Sequence, residues 1–477
     1  AAAGAAAAAG GAGAGDARAF RRREFICAAG CSEREPELER SLAPYAEWGR
    51  NTSGLEMLEL LVAFCEEHRS CQDPFVMVVL WQEDVYLRTC RADGLREVSL
   101  YLIGPEDLSL VIAFLLAAQR VAVLPSGPIA FGVYLSDYTC LVDRHRVGPG
   151  LPLFAYLRRD TSWAIPWPSS FAVLSTLQAE RALGPRPWAA RRPRAYWLGT
   201  VTGPWELVPD AALAALPRLR LLRLARAHPE QLQAEWSGLA AYGIGWVRGT
   251  GLAGLLANAS RSVEDLTGAR RSSYKSLERW DHFKYYVNLD GVVMGGRLNK
   301  LLALGGVVLQ QKAGYYEHLD ALVQPYVHYV PIEYDLSDLV AKVEWLQRHD
   351  AEAHRIASRG QSLATQRMRL EDHLCYIWRA LEAIGARTAV KQADAAAVEK
   401  RLRELSFQRV TVVNGSMRET LERFWGGKLQ GVATGDRVMS KTGIRLLQWV
   451  WDRFGAISRR TRRQEPGESS AFWAEGA

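Results

Sequence analysis

FKYYVNLDGVVMGGRLNKLLALGGVVLQQKAGYYEHLDALVQPYVHYVP, residues Phe283–Pro331, holds one complete strand–loop–helix–strand unit. Tyr285–Leu289 is a dense run of β-forming residues that breaks at Asp290-Gly291. A short loop through Gly295-Gly296-Arg297 enters a helix marked by Leu298, Leu301 and Leu302 at helical spacing. Gly305-Gly306 stops that helix, and Val307-Val308-Leu309 opens the next strand. A glycine-rich crossover that ends in an arginine can hold a phosphate, because the backbone approaches closely and the guanidinium is a planar fork.

Outward from this unit the chain alternates strands and helices. Leu55–Phe64 carries helical spacing, Phe75–Trp81 is a buried strand, and Leu108–Ala118 is a core helix opened by Glu106-Asp107. Ile129–Leu135 is a strand, so Asp137 falls just beyond its carboxyl end, where ligands and catalytic groups gather in open α/β sheets. An aspartate in that position also serves as a turn or cap residue. Arg194–Trp197 is a short strand, and Ala211–Arg226 is helical with an interruption at Pro217. Asp335 is the expected N-cap of a helix carrying Leu336, Leu339, Val343 and Leu346. A second helix is expected from Asp350 to a stop at Gly360, and a third carries Leu374, Ile377, Trp378, Leu381 and Ile384. The alternation predicts an α/β protein with parallel sheets in two Rossmann-like halves.

The chain's 477 residues exceed one ordinary domain, and 48% hydrophobic content with sixteen tryptophans supplies ample core. The net charge of +7 sits largely in arginine clusters, which suit an anionic partner less well than they suit solvated surface; no nucleic-acid partner is expected. No stretch has the length and apolarity of a bilayer span. Gly443–Arg463 combines Leu446, Trp449, Val450 and Phe454 with a basic flank, a pattern of a helix packed on the main domain or of peripheral membrane contact near the terminus. Seven cysteines occur without zinc-type spacing, five of them before residue 100, which suits disulfides in a secretory-pathway protein.

The ordered blocks FKYYVNLDG, the Gly-Gly-Arg helix entry, LLALGGVVLQ, the spaced Tyr-Glu, QPYVHYVPIEYDLSDL and EDHLCYIWRALE resemble glycosyltransferase family 90, that of capsule-associated xylosyltransferases and Rumi-like protein O-glucosyltransferases. Pro193–Gly203 and Val133–Tyr138 resemble two further blocks of that family. The resemblance implies a GT-B architecture, two Rossmann-like lobes facing a cleft. It implies inverting, metal-independent transfer of glucose or xylose from UDP-glucose or UDP-xylose to a hydroxyl of a protein or glycan acceptor, without a cofactor. On this reading residues 1–20 are a low-complexity tail, 21–190 the acceptor and catalytic-base lobe, 191–387 the nucleotide-sugar lobe, and 388–477 an extension of unknown role. The implied compartment is the lumen of the endoplasmic reticulum or Golgi; the sequence begins with Ala and not Met, and an N-terminal signal or anchor missing from it is the expected route there.

Residue by residue, Asp137 matches the family's catalytic aspartate, the base that takes the acceptor hydroxyl's proton, with Asp143 and Asp160 as alternatives. Arg297 matches the diphosphate arginine, and the backbone of Val292, Val293, Met294, Gly295 and Gly296 completes the implied cradle. Thr200 matches a serine at a strand exit, and Glu317 an acidic position near the donor ribose. Trp163, Trp167 and Phe171 form either an acceptor or sugar platform or a hydrophobic seam between lobes. Cys375 matches a family cysteine tied to the N-terminal region, with Cys27 or Cys31 its implied partner, and Cys65 with Cys71 would close a small loop. The family's Arg-Gly-Ser-Arg run is Leu198-Gly199-Thr200-Val201 here, so two positive charges are missing. Arg191, Arg192 or Arg194 could compensate. The competing expectation from that loss is a catalytically silent member acting as a glycan-binding or scaffold protein.

Overall fold

The computed structural model describes residues 35–45, 54–67, 75–82, 84–89, 105–119, 128–135, 152–159, 162–169, 172–173, 175–176, 186–202, 216–239, 263–264, 267–269, 271–272, 277–291, 295–312, 314–387, 395–413, 416–424 and 452. Asp137, Val292, Val293, Met294, Phe171, Cys27, Cys31, Cys71, Asp143, Asp160 and nearly all of Gly443–Arg463 lie outside them. The chain divides into two compact units. One comprises Ala1–Tyr156, Thr161–Ser170 and Leu370–Ala477; the other comprises Leu157–Asp160 and Phe171–Arg369.

The first unit is built on strands β1 (Phe75–Trp81), β2 (Asp84–Thr89), β3 (Ile129–Tyr134), β4 (Leu153–Ala155), β5 (Ile165–Pro166) and β11 (Gln408–Val410). Their order is β11-β2-β1-β3-β4-β5. The α/β class is as expected, but this sheet is mixed. β1 pairs antiparallel with β2 and β3, β11 pairs antiparallel with β2, and only β3–β4 and β4–β5 are parallel. The antiparallel part starts at a two-residue hairpin in which Trp81 faces Asp84, and Gln82 adopts the left-handed φ of 48° that such a turn demands. Every residue of β1 is buried, as a central strand's FVMVVLW run requires.

Helices α1 (Glu35–Leu42), α2 (Gly54–Glu67) and α3 (Pro105–Gln119) belong to this unit. Leu108–Ala118 is buried on every side, the condition of a helix apolar all round. Helix α8 (Leu370–Arg387) packs on α3 and α1, so these residues join the first unit, although the sequence placed them at the end of the nucleotide lobe. Helix α9 (Ala395–Glu404) packs on α2, where Arg401 pairs with Glu59. β11 then adds an edge to β2, with Arg409 paired to the buried Asp84. The described part of the expected extension is therefore structural: it completes this sheet. Cys65 and Cys375 are both disulfide-bonded. Helix α10 (Met417–Phe424) buries Met417 and Leu421.

The second unit is the parallel, Rossmann-like one. Strands β6 (Arg192–Val201), β7 (Leu232–Leu239), β8 (Phe283–Asn288), β9 (Val307–Gln311) and β10 (Val330–Ile332) run in the order β10-β9-β8-β6-β7, with every pairing parallel. β6 is more than twice the expected Arg194–Trp197. Helix α4 (Pro217–Ala227) starts at Pro217 instead of being interrupted there; proline's fixed φ and missing N–H suit a first helical position. Helix α5 (Leu298–Ala303) is short and ends before Gly305, whose φ of +70° makes the stop.

Helix α6 (Leu339–Arg348) has Asp338, not Asp335, at its N-cap position, and that side chain makes no capping hydrogen bond. Leu336 has a φ of 60° outside the helix, and Asp335 instead accepts the Ser337 N–H, a local turn that competes with helix initiation. Helix α7 (Asp350–Arg367) runs straight through Gly360. A Cβ there would lie 2.7 Å from the His328 carbonyl oxygen and 2.9 Å from a Leu302 methyl. The glycine therefore permits close packing and does not end the helix. Alanine normally gains about 1 kcal/mol over glycine inside a helix. We expect the opposite sign for Gly360→Ala, a loss of about 1–3 kcal/mol from overpacking against backbone that cannot yield. Thermal or urea unfolding of the purified variant reads it, and a stabilised variant would show that the contact relaxes.

Candidate functional site

In a parallel sheet ligands sit outside the carboxyl ends of the strands where the strand order reverses. Here that point lies between β6 and β8, because β7 follows β6 on one side and β8, β9 and β10 continue on the other. The β6–β8 ladder ends at Tyr196↔Tyr286. Beyond it two arginines hold the strand ends.

Arg297, just ahead of α5, donates from Nη1 to the Leu198 carbonyl at 2.9 Å and from Nε to Asn288 Oδ1 at 3.1 Å. Its guanidinium also lies 5.4 Å from the centre of the Trp280 ring. Arg218, in the first turn of α4, donates to the carbonyls of Thr200 at 2.6 Å, Asp290 at 2.8 Å and Leu289 at 3.1 Å. One arginine comes from each side of the switch point, and each bridges β6 to β8. Arg218 is the residue that sequence reasoning missed. Its signal was present: an arginine in the first turn of a helix, where the dipole disfavours it, needs a buried partner to be there.

Ahead of α5, Gly295 closes on the end of β8. Gly295 N–H donates to Asp290 Oδ1 at 3.1 Å, and the Gly295 carbonyl accepts the Arg297 N–H at 2.6 Å. A Cβ on Gly295 would lie 2.8 Å from the Leu289 carbonyl oxygen, so the close approach needs glycine. Ser175 Oγ donates to the Gly296 carbonyl at 2.7 Å, and Asn299 donates to the Ala172 carbonyl at 3.1 Å, which ties residues 172–176 to the loop and α5. On the β9 side, Gln311 accepts the Asp290 N–H at 2.9 Å and donates to the Tyr334 carbonyl at 2.7 Å. Gln310 accepts from Asn288 Nδ2 at 2.7 Å.

Two titratable groups are displaced here. Burial pushes the Asp290 carboxyl up to about 7, against the pull of the Gly295 N–H, Arg218 and Arg297, while Asp320 adds to the rise. Burial lowers the Lys300 ammonium to about 8, and Arg297 lowers it further. Glu317 is buried near the same edge, with its N–H donated to Asp320 Oδ2 at 2.5 Å. Arg158 forms an antiparallel bridge with Tyr316, and Arg159 donates to the Tyr315 hydroxyl at 2.6 Å, its guanidinium 4.4 Å from that ring's centre.

The expected residues thus divide. Thr200, Gly295, Gly296 and Arg297 come together at the switch point, and Glu317 lies beyond the exit of β9. Arg191, Arg192 and Arg194 cannot supply the charges missing at Leu198–Val201, because they stand at the amino end of β6. Arg191 is buried there on Tyr286 Oη, the Leu304 carbonyl and Asp281; Arg192 faces Phe283; Arg194 pairs with Glu230. Four to nine residues of strand separate Arg192 and Arg194 from Leu198 and Val201, roughly 13–30 Å. Trp167 is no sugar platform: it is fully buried and meets Phe154 edge-on at 5.1 Å, as core of the first unit. Trp163 is half-buried, and its carbonyl accepts the Tyr45 hydroxyl at 2.8 Å.

The chain is 30% identical over 277 residues to protein O-glucosyltransferase 2 of Danio rerio, covering 55% of this chain and 48% of that protein. It is 40% identical over 109 residues to protein O-glucosyltransferase 3 of Rattus norvegicus, covering 23% and 22% of the two chains. With protein O-glucosyltransferase 1 of Rattus norvegicus the figures are 26% over 192 residues, 40% and 41%. The chain thus spans about half or less of the length of these relatives. A UDP-forming α,α-trehalose-phosphate synthase from Burkholderia xenovorans aligns at 14% identity over 50% of this chain and 54% of that one, with a TM-score of 0.29, too distant to bear on the fold. Glycosyl transferase family 90 matches residues 151–425. That segment holds the whole parallel sheet, both arginines of the switch point and more than half of the chain, and on that match the chain belongs to glycosyl transferase family 90.

Proposed function

We propose that this chain is an inverting, metal-independent glycosyltransferase of GT-B type. It moves glucose or xylose from a UDP-sugar to a hydroxyl of a protein or glycan acceptor, with no cofactor. The observation that carries the reading is Arg297 at the β6–β8 switch point of a family 90 chain. A guanidinium in that crevice suits the two phosphates of a nucleoside diphosphate, whose departure with developing negative charge needs a cation when no metal assists. Gly295 and Gly296, with Val292, Val293 and Met294, form the backbone wall of the donor site. Thr200 and Glu317 flank it on the phosphate and ribose sides. Asp137 serves as the general base that takes the acceptor proton as oxygen attacks the anomeric carbon.

The proposed setting is an oxidising secretory compartment, the lumen of the endoplasmic reticulum or Golgi. The disulfides at Cys65 and Cys375 favour it, and among the described residues no helix is long and apolar enough to cross a membrane. Peripheral membrane contact through the termini is part of the proposal; a nucleic-acid partner is not.

Incubation with UDP-glucose and with UDP-xylose, in the presence of folded protein acceptors, should release UDP with one donor preferred. Glucose and xylose differ by one hydroxymethyl, so a preference of about 10–200-fold is the scale to expect. A second reading, a silent glycan-binding or scaffold member, is favoured by one observation: the arginines nearest in sequence to the uncharged Leu198–Val201 exit lie at the far end of β6. Absence of both turnover and UDP binding would sink the enzyme reading and leave this one.

A further inference from the structure

Asp290 is a buried carboxyl at the carboxyl end of β8, only 8% exposed. Its Oδ1 accepts the Gly295 N–H, and among the described residues it forms no ion pair. The two nearest cations are turned to other acceptors. Arg218 from α4 holds three strand-end carbonyls, one of them Asp290's own. Arg297 from the head of α5 holds Leu198 and Asn288. From the β9 side the facing groups are the neutral Gln311 and the acidic Asp320, with Glu317 beside it. Lys300 on α5 lies near Arg297. An acid is therefore built into the wall of the crevice in which the donor's diphosphate is proposed to sit.

We propose that Asp290 takes up a proton when a nucleoside diphosphate binds at Arg297, so that the site holds its nucleotide as a carboxylic acid and not as a carboxylate. The inference rests on the donor-site reading above.

The physical reason is charge. A diphosphate brings two or three negative charges to a crevice whose wall already holds the Asp290 carboxyl, with Asp320 and Glu317 near it. Like charges at such range in a poorly solvated site raise the weaker acid. Burial already pushes the carboxyl up to about 7, so one proton from solvent neutralises it at little cost. Its Oδ1 can still accept the Gly295 N–H after protonation on the other oxygen, so the loop stays latched while the charge is removed.

Asp290→Asn separates these two roles, since the amide oxygen keeps the N–H acceptor and the charge is gone. UDP binding to the full chain is measured by calorimetry from pH 6 to pH 8 for both proteins. The ratio of wild-type to variant dissociation constant should be near one at pH 6 and rise to about five at pH 8, on the way to the tenfold limit that one unit of pKa coupling sets. The titrations of Lys300 and of the nucleotide itself are common to both proteins and cancel in the ratio. In buffers of different ionisation enthalpy near pH 7.5, the wild type should take up more protons per UDP than the variant. A ratio that stays flat with equal proton uptake overturns the inference while leaving the donor site intact. Absence of UDP binding by both proteins, each folded by circular dichroism, overturns the donor-site reading and this inference with it.

Discussion

Arg297→Ala is expected to weaken UDP binding by about 10²–10⁴-fold, the loss of two charge-assisted hydrogen bonds to phosphate at about 1.5–3 kcal/mol each. The donor concentration for half-maximal turnover should rise in step. The same substitution also removes the bridge between Leu198 and Asn288, so stability must be read beside affinity. Arg297→Lys tells the two apart. An ammonium restores the charge but cannot span the strand ends and a diphosphate with a planar fork. Lysine should therefore recover part of the UDP affinity and little of any lost unfolding temperature. Donor affinity that is unchanged in the alanine variant would leave Arg297 as a structural staple and remove the phosphate role.

Asp137→Asn should lower turnover by about 10²–10⁴-fold, the usual worth of a general base, while UDP binds as before. The reasoning is chemical. Inverting displacement needs one group to accept the acceptor's proton, and the donor phosphates do not touch that group. An amide at the same position keeps the shape and removes the basicity. Turnover and UDP binding measured on one preparation decide the matter. If the variant still transfers sugar, the base is elsewhere, and Asp143 and Asp160 are the next to substitute.

The legible parts of this chain were those that local rules govern. Periodicity marked Phe75–Trp81, Leu108–Ala118 and the strand–loop–helix–strand unit to within a few residues, because each buries a face whose spacing is written in sequence. Glycine and proline misled where two physical roles share one residue. Gly360 was expected to end a helix, but its missing Cβ makes room for the His328 carbonyl. Pro217 was expected to break a helix that it starts. Asp335 was expected to cap a helix and instead closes a turn onto Ser337. Trp167 looked like a sugar platform because aromatic faces suit hexose rings, yet nothing local separates such a face from one packed on Phe154.

What the sequence determined by itself was the α/β class, the family and the loop that carries Arg297; the class and the loop depend on residues within a few turns of one another, and the family on the order of such local blocks. What only the tertiary structure decided was pairing over distance. It seated β11 on β2, a strand from far earlier in the chain, made the first sheet mixed, and set Arg218 and Arg297 on opposite sides of one switch point. It also put Asp290 out of water between them. Strand pairing, burial and the shift of an acid toward neutrality depend on which distant backbone and which charges arrive at a place, and no local pattern records that.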